Sequence, residues 1–289
     1  MKVAIISGKG GSGKSSISAA FVSLCSKVIA VDCDVDASNL PLLFPHNVRK
    51  DEPFASGMGV HVDSAACVGC GVCVDNCSFD ALSMNSAGVA SAKDFSCEGC
   101  GLCEYLCPQK AITMVLEYGS SIYTSSFAHG VLIHGDLRPG DDNSGKMIAR
   151  LREIADQMMR AENINLQILD GPPGIGCPVL STVTGVNKVV IVCEPTLSGI
   201  SDLLRAYHVA HSFCQDINVI INKCNINEAN RYEILNLCKE LNVPVVAQLP
   251  FDRKLVEAQL HCQSIITYAP DSECAQALVS AYAEIFNQA

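Results

Sequence analysis

Eight cysteines between Cys67 and Cys107 fall into two copies of one pattern, and no other stretch constrains this 289-residue chain as much. Cys67-Val-Gly-Cys70-Gly-Val-Cys73-Val-Asp-Asn-Cys77 aligns with Cys97-Glu-Gly-Cys100-Gly-Leu-Cys103-Glu-Tyr-Leu-Cys107 at an offset of 30 residues. The match continues through Ala81/Ala111, Leu82/Ile112 and Met84/Met114. Each copy reads C-x2-C-x2-C-x3-C, with Gly69, Gly71, Gly99 and Gly101 keeping the loops compact so that backbone N–H groups can point at the sulfurs. A zinc ribbon needs four thiolates in CxxC pairs, whereas two cubic iron–sulfur clusters need eight. With 17 cysteines in all, a cytoplasmic chain of this size implies metal or redox chemistry rather than disulfides.

The spacing resembles that of bacterial two-cluster ferredoxins, in which three close cysteines hold one cluster and the fourth crosses to the other. The resemblance implies a [4Fe–4S] cluster I on Cys67, Cys70, Cys73 and Cys107, and a [4Fe–4S] cluster II on Cys77, Cys97, Cys100 and Cys103. Ser78 stands where the second copy has Pro108, the residue usual after the fourth cysteine; this leaves the ligands intact but changes the surroundings of cluster II. The module spans residues 58–117 and is too small to fold well without its clusters.

Met1–Ser7 is an apolar run of buried-strand type, followed by Gly8-Lys9-Gly10-Gly11-Ser12-Gly13-Lys14-Ser15 and a helical pattern from Ser16 to Ser26. This is G-x4-G-K-S in the strand–loop–helix setting that a phosphate-binding loop requires. Its backbone N–H groups and the helix N-terminus form a cradle for phosphates. Gly8 through Ser16 are therefore expected to bind ATP, with Lys14 on the β/γ-phosphates and Ser15 on Mg2+.

Lys9 turns the loop into K-G-G-x-G-K-S, which resembles the deviant Walker A of the MinD/ParA/Mrp class of P-loop ATPases. In that class the extra lysine reaches across a dimer interface to the partner's nucleotide. Asp32-Cys-Asp34-Val-Asp36-Ala-Ser-Asn39-Leu40 resembles the class's switch I, which implies that Asp34 positions the attacking water and borders Mg2+. Asp32 and Asp36 gain no assigned role, since acids at strand ends often only cap turns. Gln167-Ile-Leu-Asp170-Gly-Pro-Pro-Gly174 resembles Walker B with switch II, a strand ending at an Asp170 that reaches Mg2+ through water. Asn222 of Ile221-Asn222-Lys223 matches the adenine-recognising asparagine. Leu249-Pro250-Phe251-Asp252 matches the loop that closes over the base. Val190–Thr196 with Ser198-Gly199 looks like a strand and turn that precede a helix. Across the whole chain the match is to MinD-superfamily ATPases carrying an inserted ferredoxin domain. The expected fold is α/β: a doubly wound parallel-sheet P-loop domain over residues 1–57 and 118–289, interrupted by a small α+β insert at 58–117.

A net charge of −10 argues against a nucleic-acid-binding face. No apolar run reaches membrane-spanning length and no signal peptide precedes the first strand, so a cytoplasmic protein is expected. After Lys254 the chain has neither Lys nor Arg, unlike the basic membrane helix that ends MinD, so no membrane partner is expected. Cys177 lies seven residues after Asp170, where the nitrogenase iron protein carries a ligand of its intersubunit cluster. No second cysteine of that kind is apparent, and a buried, inert thiol is expected. His208, His211 and Cys214 share a helical face and are expected to pack rather than bind metal. Cys262 and Cys274 do not form the CxxC of Mrp-type cluster carriers.

The function expected is a slow, partner-stimulated Mg-ATP-dependent ATPase, dimeric with itself or with a similar subunit. Its two [4Fe–4S] clusters would pass electrons to, or sense the redox state of, a protein partner. The bases of the insert are only Lys93 and Lys110, so the partner should present a basic docking patch. The insert sits between the two switch segments, which suggests that nucleotide state and clusters are coupled. A cluster assembly factor and a non-catalytic ATP-gated binding module are the alternatives.

Overall fold

The computed structural model describes residues 1–94, 96–141 and 143–286. They form two compact units. The first comprises Met1–Glu52, Ile122–Asp136 and the chain from Gly145 onward; the second comprises Pro53–Ser121 with Leu137–Ser144. The second unit thus takes in residues on both sides of the expected 58–117, and a later segment as well.

The first unit is built from short apolar runs rich in β-branched residues. Strands β1 (Lys2–Ser7), β2 (Val28–Asp32), β9 (Lys188–Cys193) and β10 (Ile217–Ile221) are buried along nearly their whole length, as strands covered on both faces must be. Together with β7 (Gly130–Asp136), β8 (Gln167–Pro173) and β11 (Val245–Gln248), and with β3 (His46–Val62) and β6 (Ile112–Phe127), whose residues are divided between the two units, they form a nine-stranded sheet. Its order is β11-β10-β9-β1-β8-β2-β7-β6-β3. Strand β1 pairs parallel with β8 and β9, β2 with β7 and β8, and β10 with β9 and β11. The chain leaves β1 toward β2 on one side and returns through β9 to β11 on the other. In such sheets the crevice at the carboxyl ends, where the order reverses, is the place for a ligand.

Helices α1 (Lys14–Leu24), α4 (Ser144–Ala161), α5 (Cys177–Val183), α6 (Leu197–His211), α7 (Glu228–Glu240), α8 (Arg253–Leu260), α9 (Ile265–Tyr268) and α10 (Glu273–Phe286) complete this unit. Val3 and Ile5 of β1, Ile17 and Phe21 of α1, and Leu278 and Ile285 of α10 share one core. The Phe21 ring meets Phe286 edge-on at 5.5 Å. Helix α1 starts at Lys14 rather than Ser16 because the left-handed Gly13 (φ 89) ends the phosphate loop and leads straight into the first helical residue. Strand β8 does not end at Asp170 but continues to Pro173, where it pairs with Ser7 after a register shift. Gly171 permits this: a Cβ there would lie 2.8 Å from the Ile5 carbonyl oxygen. No helix among the described residues is long and apolar enough to cross a membrane.

The second unit holds α2 (Val72–Asp75), α3 (Leu102–Leu106) and the antiparallel hairpin of β4 (Leu82–Met84) and β5 (Ala90–Ala92). Its buried core is Cys73, Leu82, Ala90 and Ile112, with Val60, Val62 and three further cysteines packed against it. The sequence repeat is also a backbone repeat. Paired φ values are 68 and 66 at Gly69 and Gly99, 76 and 73 at Gly71 and Gly101, and 53 and 50 at Asp80 and Lys110.

In the first unit, His134 of β7 stacks on Tyr123 with ring centroids 5.0 Å apart and meets His46 edge-on at 5.8 Å. Burial, reinforced by His46, pushes the His134 pKa down to about 4, and its Nδ1 has no hydrogen-bond partner. Between that value and the unfolded pKa of about 6.5 the unfolded chain binds the extra proton, so stability rises with pH across the window and is lost as pH falls through it. Urea unfolding of the full chain should show this residue costing up to about 3 kcal/mol between pH 6.5 and pH 4. His134→Phe should flatten that slope while keeping the stack on Tyr123; an unchanged slope would place the titration elsewhere.

Candidate functional site

The carboxyl ends of β1, β2, β8, β9 and β10 bring the glycine-rich loop, Asp32 and Asp34, Asp170, Glu194 and Asn222 to one edge of the sheet. At the centre is Lys14. Its Nζ lies 3.1 Å from Asp170 Oδ1 and 4.0 Å from Asp34 Oδ2, with Lys14 only 6% exposed and Asp170 fully buried. The Ser18 hydroxyl donates to the same Asp170 oxygen at 2.8 Å, whereas Asp170 Oδ2 and the buried Ser12 Oγ have no partner. Ser15 Oγ lies 3.5 Å from Lys14 Nζ.

Burial alone would lower the Lys14 pKa, but the carboxylates of Asp170, Asp32 and Asp34 together hold it above the ordinary lysine value. Burial pushes Asp32 up to about 7, with Asp170 adding to the rise and Lys14 opposing it. Asp34 is raised mainly by burial, against the pull of Lys14. Asp32 has a definite structural task. It accepts the backbone N–H groups of Asp34 at 3.0 Å, Asn39 at 3.0 Å and Leu40 at 2.9 Å, and the Ser38 hydroxyl at 2.8 Å. One carboxylate therefore pins the whole segment that carries Asp34. Asp36 points into solvent.

The loop residues from Lys9 to Ser16 line one cleft with Asp34, Asn222 and Phe251. Asn222 Nδ2 donates to the Ser12 carbonyl at 2.8 Å, and its Oδ1 accepts the Lys223 N–H at 2.9 Å. A Cβ on Gly13 would lie 2.2 Å from Asn222 Nδ2, so this left-handed position must be glycine. Gly8 is closed off in the same way by Asp202, whose Cβ would be 2.4 Å from an added methyl. Of the expected base-closing residues only Phe251 lines the cleft. The Asp252 carboxylate caps α8 by accepting the Lys254 N–H at 2.9 Å, the ordinary use of aspartate at a helix start. The Pro250 carbonyl accepts the Cys274 thiol at 3.2 Å.

Lys9 is held within its own chain. Its ammonium lies 2.5 Å from Glu194 Oε1 and donates to Thr196 Oγ1 at 3.2 Å and Ser198 Oγ at 3.1 Å. Glu194 Oε2 also receives Lys223 Nζ at 3.0 Å, and that ammonium reaches the Gly11 carbonyl at 3.1 Å. Burial would raise Glu194, but hydrogen bonds from the two lysines hold its carboxyl below the usual range. Sequence reasoning missed Glu194. The only local signal was a charged residue closing the apolar run of β9.

In the second unit, Cys67, Cys70, Cys73 and Cys107 line one small cavity. Cys77, Cys97, Cys100 and Cys103, together with Cys73, line another. The N–H of Ala81 donates to Cys77 Sγ and that of Ala111 to Cys107 Sγ, both at 3.3 Å. Among the described residues no three His, Cys, Asp or Glu side chains converge closely enough to share a single ion. Cys177 is exposed rather than buried, because α5 turns Val179, Thr182 and Val183 inward and leaves its first residue on the outer face. Cys214 is buried and donates to the Asn187 carbonyl at 3.3 Å, while His208 and His211 face solvent.

Removing one member of a buried ion pair strands the other. Lys14→Met should therefore cost about 3 kcal/mol in urea unfolding, and adding Asp170→Asn should recover part of it. A Lys14→Met chain as stable as the wild type would mean that the buried pair adds nothing to stability.

Comparison with known proteins gives the site a family. The CobQ/CobB/MinD/ParA nucleotide binding domain matches residues 3–265. The uncharacterized protein MJ0578 of Methanocaldococcus jannaschii is 39% identical over 235 residues, 80% of each chain. The cell division ATPase MinD of Pyrococcus furiosus shares the fold with a TM-score of 0.60 and 18% identity, covering 100% of this chain and 99% of its own. The septum site-determining protein MinD of Pyrococcus horikoshii, solved with Mg-ADP, does so with a TM-score of 0.59 and 18% identity, covering 99% and 96%. With a glycine loop, a buried lysine and two aspartates of adjacent strands meeting at the switch point of a parallel sheet, this chain belongs to the CobQ/CobB/MinD/ParA family of nucleotide-binding domains.

Proposed function

We propose that this chain is a Mg-ATP-hydrolysing, dimer-forming switch whose nucleotide state is coupled to two [4Fe–4S] clusters in a ferredoxin-like insert at residues 58–117. The clusters would serve electron transfer to, or redox-dependent regulation of, a protein partner with a basic docking patch. The observation that carries the iron–sulfur part is the grouping of the eight repeat cysteines around two cavities, with Cys107 among the first copy's three and Cys77 among the second's. The N–H groups of Ala81 and Ala111 aimed at sulfur add the hydrogen bonds that tune such centres.

The nucleotide part is supported by two buried oxygens that await partners, Ser12 Oγ and Asp170 Oδ2. A bound Mg2+ would be held through Ser15 with Asp34 and Asp170 nearby, and would neutralise charge on the phosphates. Lys14 contributes fixed positive charge at the β/γ-phosphates. Asp34, positioned by Asp32, orients the attacking water. Asn222 and Phe251 hold the base, and Lys9 serves the nucleotide of a partner subunit. MinD of the same fold is an ATPase in one structure and binds Mg-ADP in another, which favours ATP as the nucleotide.

Anaerobic reconstitution of the full chain should yield two [4Fe–4S] clusters by iron, sulfide and electron paramagnetic resonance. Cys77→Ser and Cys107→Ser should each impair one. Zinc without sulfide would overturn the iron–sulfur reading. Redox titration with ADP and then a non-hydrolysable Mg-ATP analogue should shift a potential by at least about 59 mV, a tenfold change in a one-electron equilibrium. Identical potentials in the two states would remove the coupling.

A further inference from the structure

Lys9 and Lys223 converge on one carboxylate. Glu194 closes β9 with only 12% of its side chain exposed, and its two oxygens take separate ammonium groups at 2.5 and 3.0 Å. Thr196 and Ser198, on the turn into α6, supply the remaining acceptors for Lys9. The turn is tightly specified: the Thr196 hydroxyl accepts the Gly199 N–H at 3.0 Å, and a Cβ on Gly199 would lie 2.2 Å from the Glu194 carbonyl oxygen. Lys223 ties the same carboxylate to the Gly11 carbonyl of the glycine loop. A lysine with three acceptors in its own chain is not free to extend elsewhere.

We propose that Glu194 is a positioning residue that latches Lys9 in cis while the protein is monomeric, so that the latch must open before Lys9 can serve a partner subunit. This rests on the reading that Lys9 acts on a partner's nucleotide. The latch opposes dimer formation by the free energy of the Lys9–Glu194 contact, and a nucleotide triphosphate on the partner offers the greater negative charge that draws Lys9 away. Lys223 stays on Glu194 when Lys9 leaves, so the carboxylate is never left buried without a cation. The device thus ties dimerisation to the presence of phosphates on the opposite subunit and disfavours nucleotide-free dimers.

Two measurements test it. Sedimentation of wild type and Glu194→Gln with a non-hydrolysable Mg-ATP analogue should show the variant dimerising at about two- to fivefold lower protein concentration, the range of a partly exposed ion pair. In a Lys9→Ala background Glu194→Gln should give no such gain. In nucleotide-free protein labelled with 15N-lysine, the Lys9 ammonium should be visible in the wild type, because partnered protons exchange slowly, and lost in Glu194→Gln. Equal or weaker dimerisation of the variant with nucleotide bound, or no Lys9 ammonium signal in the wild type, overturns the latch. A wild type that shows the signal and binds the analogue, yet stays monomeric alongside Glu194→Gln, overturns instead the reading that Lys9 serves a dimer.

Discussion

Everything at the carboxyl edge of the sheet depends on one buried cation. Asp32 and Asp170 are fully buried and Asp34 is half-buried, and all three point toward the same volume at the ends of β2 and β8. Without Lys14 this would be mutual repulsion in a low-dielectric site, where neutralisation is the usual escape. The lysine settles the charge, but it does so from the first residue of α1. The glycine loop must therefore deliver the helix in one register, and Gly13 has no room for a side chain. Fold and site are thus one requirement: the loop that could cradle phosphates is also the loop that places the lysine.

Asp32 shows how such a charge becomes architecture. A carboxylate that accepts three backbone N–H groups and a hydroxyl organises an irregular segment that otherwise has little regular structure to hold it. Burial, with Asp170, raises its pKa, while Lys14 and the hydrogen-bond donors oppose the rise. Asp34 takes its backbone position from this neighbour, while its carboxylate faces Lys14.

Much of this was legible in the sequence, for reasons of spacing. The glycine loop declares itself because phosphate binding demands fixed intervals, and the cysteine repeat because its two copies share one spacing. Each strand that carries a site residue is a short apolar run that the eye can find. What stayed hidden depends on partners far along the chain. Nothing local shows that Glu194 meets Lys9 across 185 positions, or that Asp252 turns to its own helix and leaves Phe251 alone at the cleft. The exposure of Cys177 follows from which face α5 buries, and seven residues around a proline are too few to show a face. The end of β8 was misplaced because a Gly-Pro-Pro run reads as a turn, yet the tight pairing with β1 keeps it extended.

The two halves of the cysteine repeat share their backbone down to the paired left-handed residues Asp80 and Lys110, yet neither closes its own cavity. Cys107 completes the wall begun by Cys67, Cys70 and Cys73, and Cys77 the wall begun by Cys97, Cys100 and Cys103. A duplication normally frees one copy to drift while the other keeps the original role. Here each cavity takes cysteines from both copies, which removes that freedom. Damage to either half is therefore felt in a cavity that the other half also lines, so the two copies stand or fall as one object.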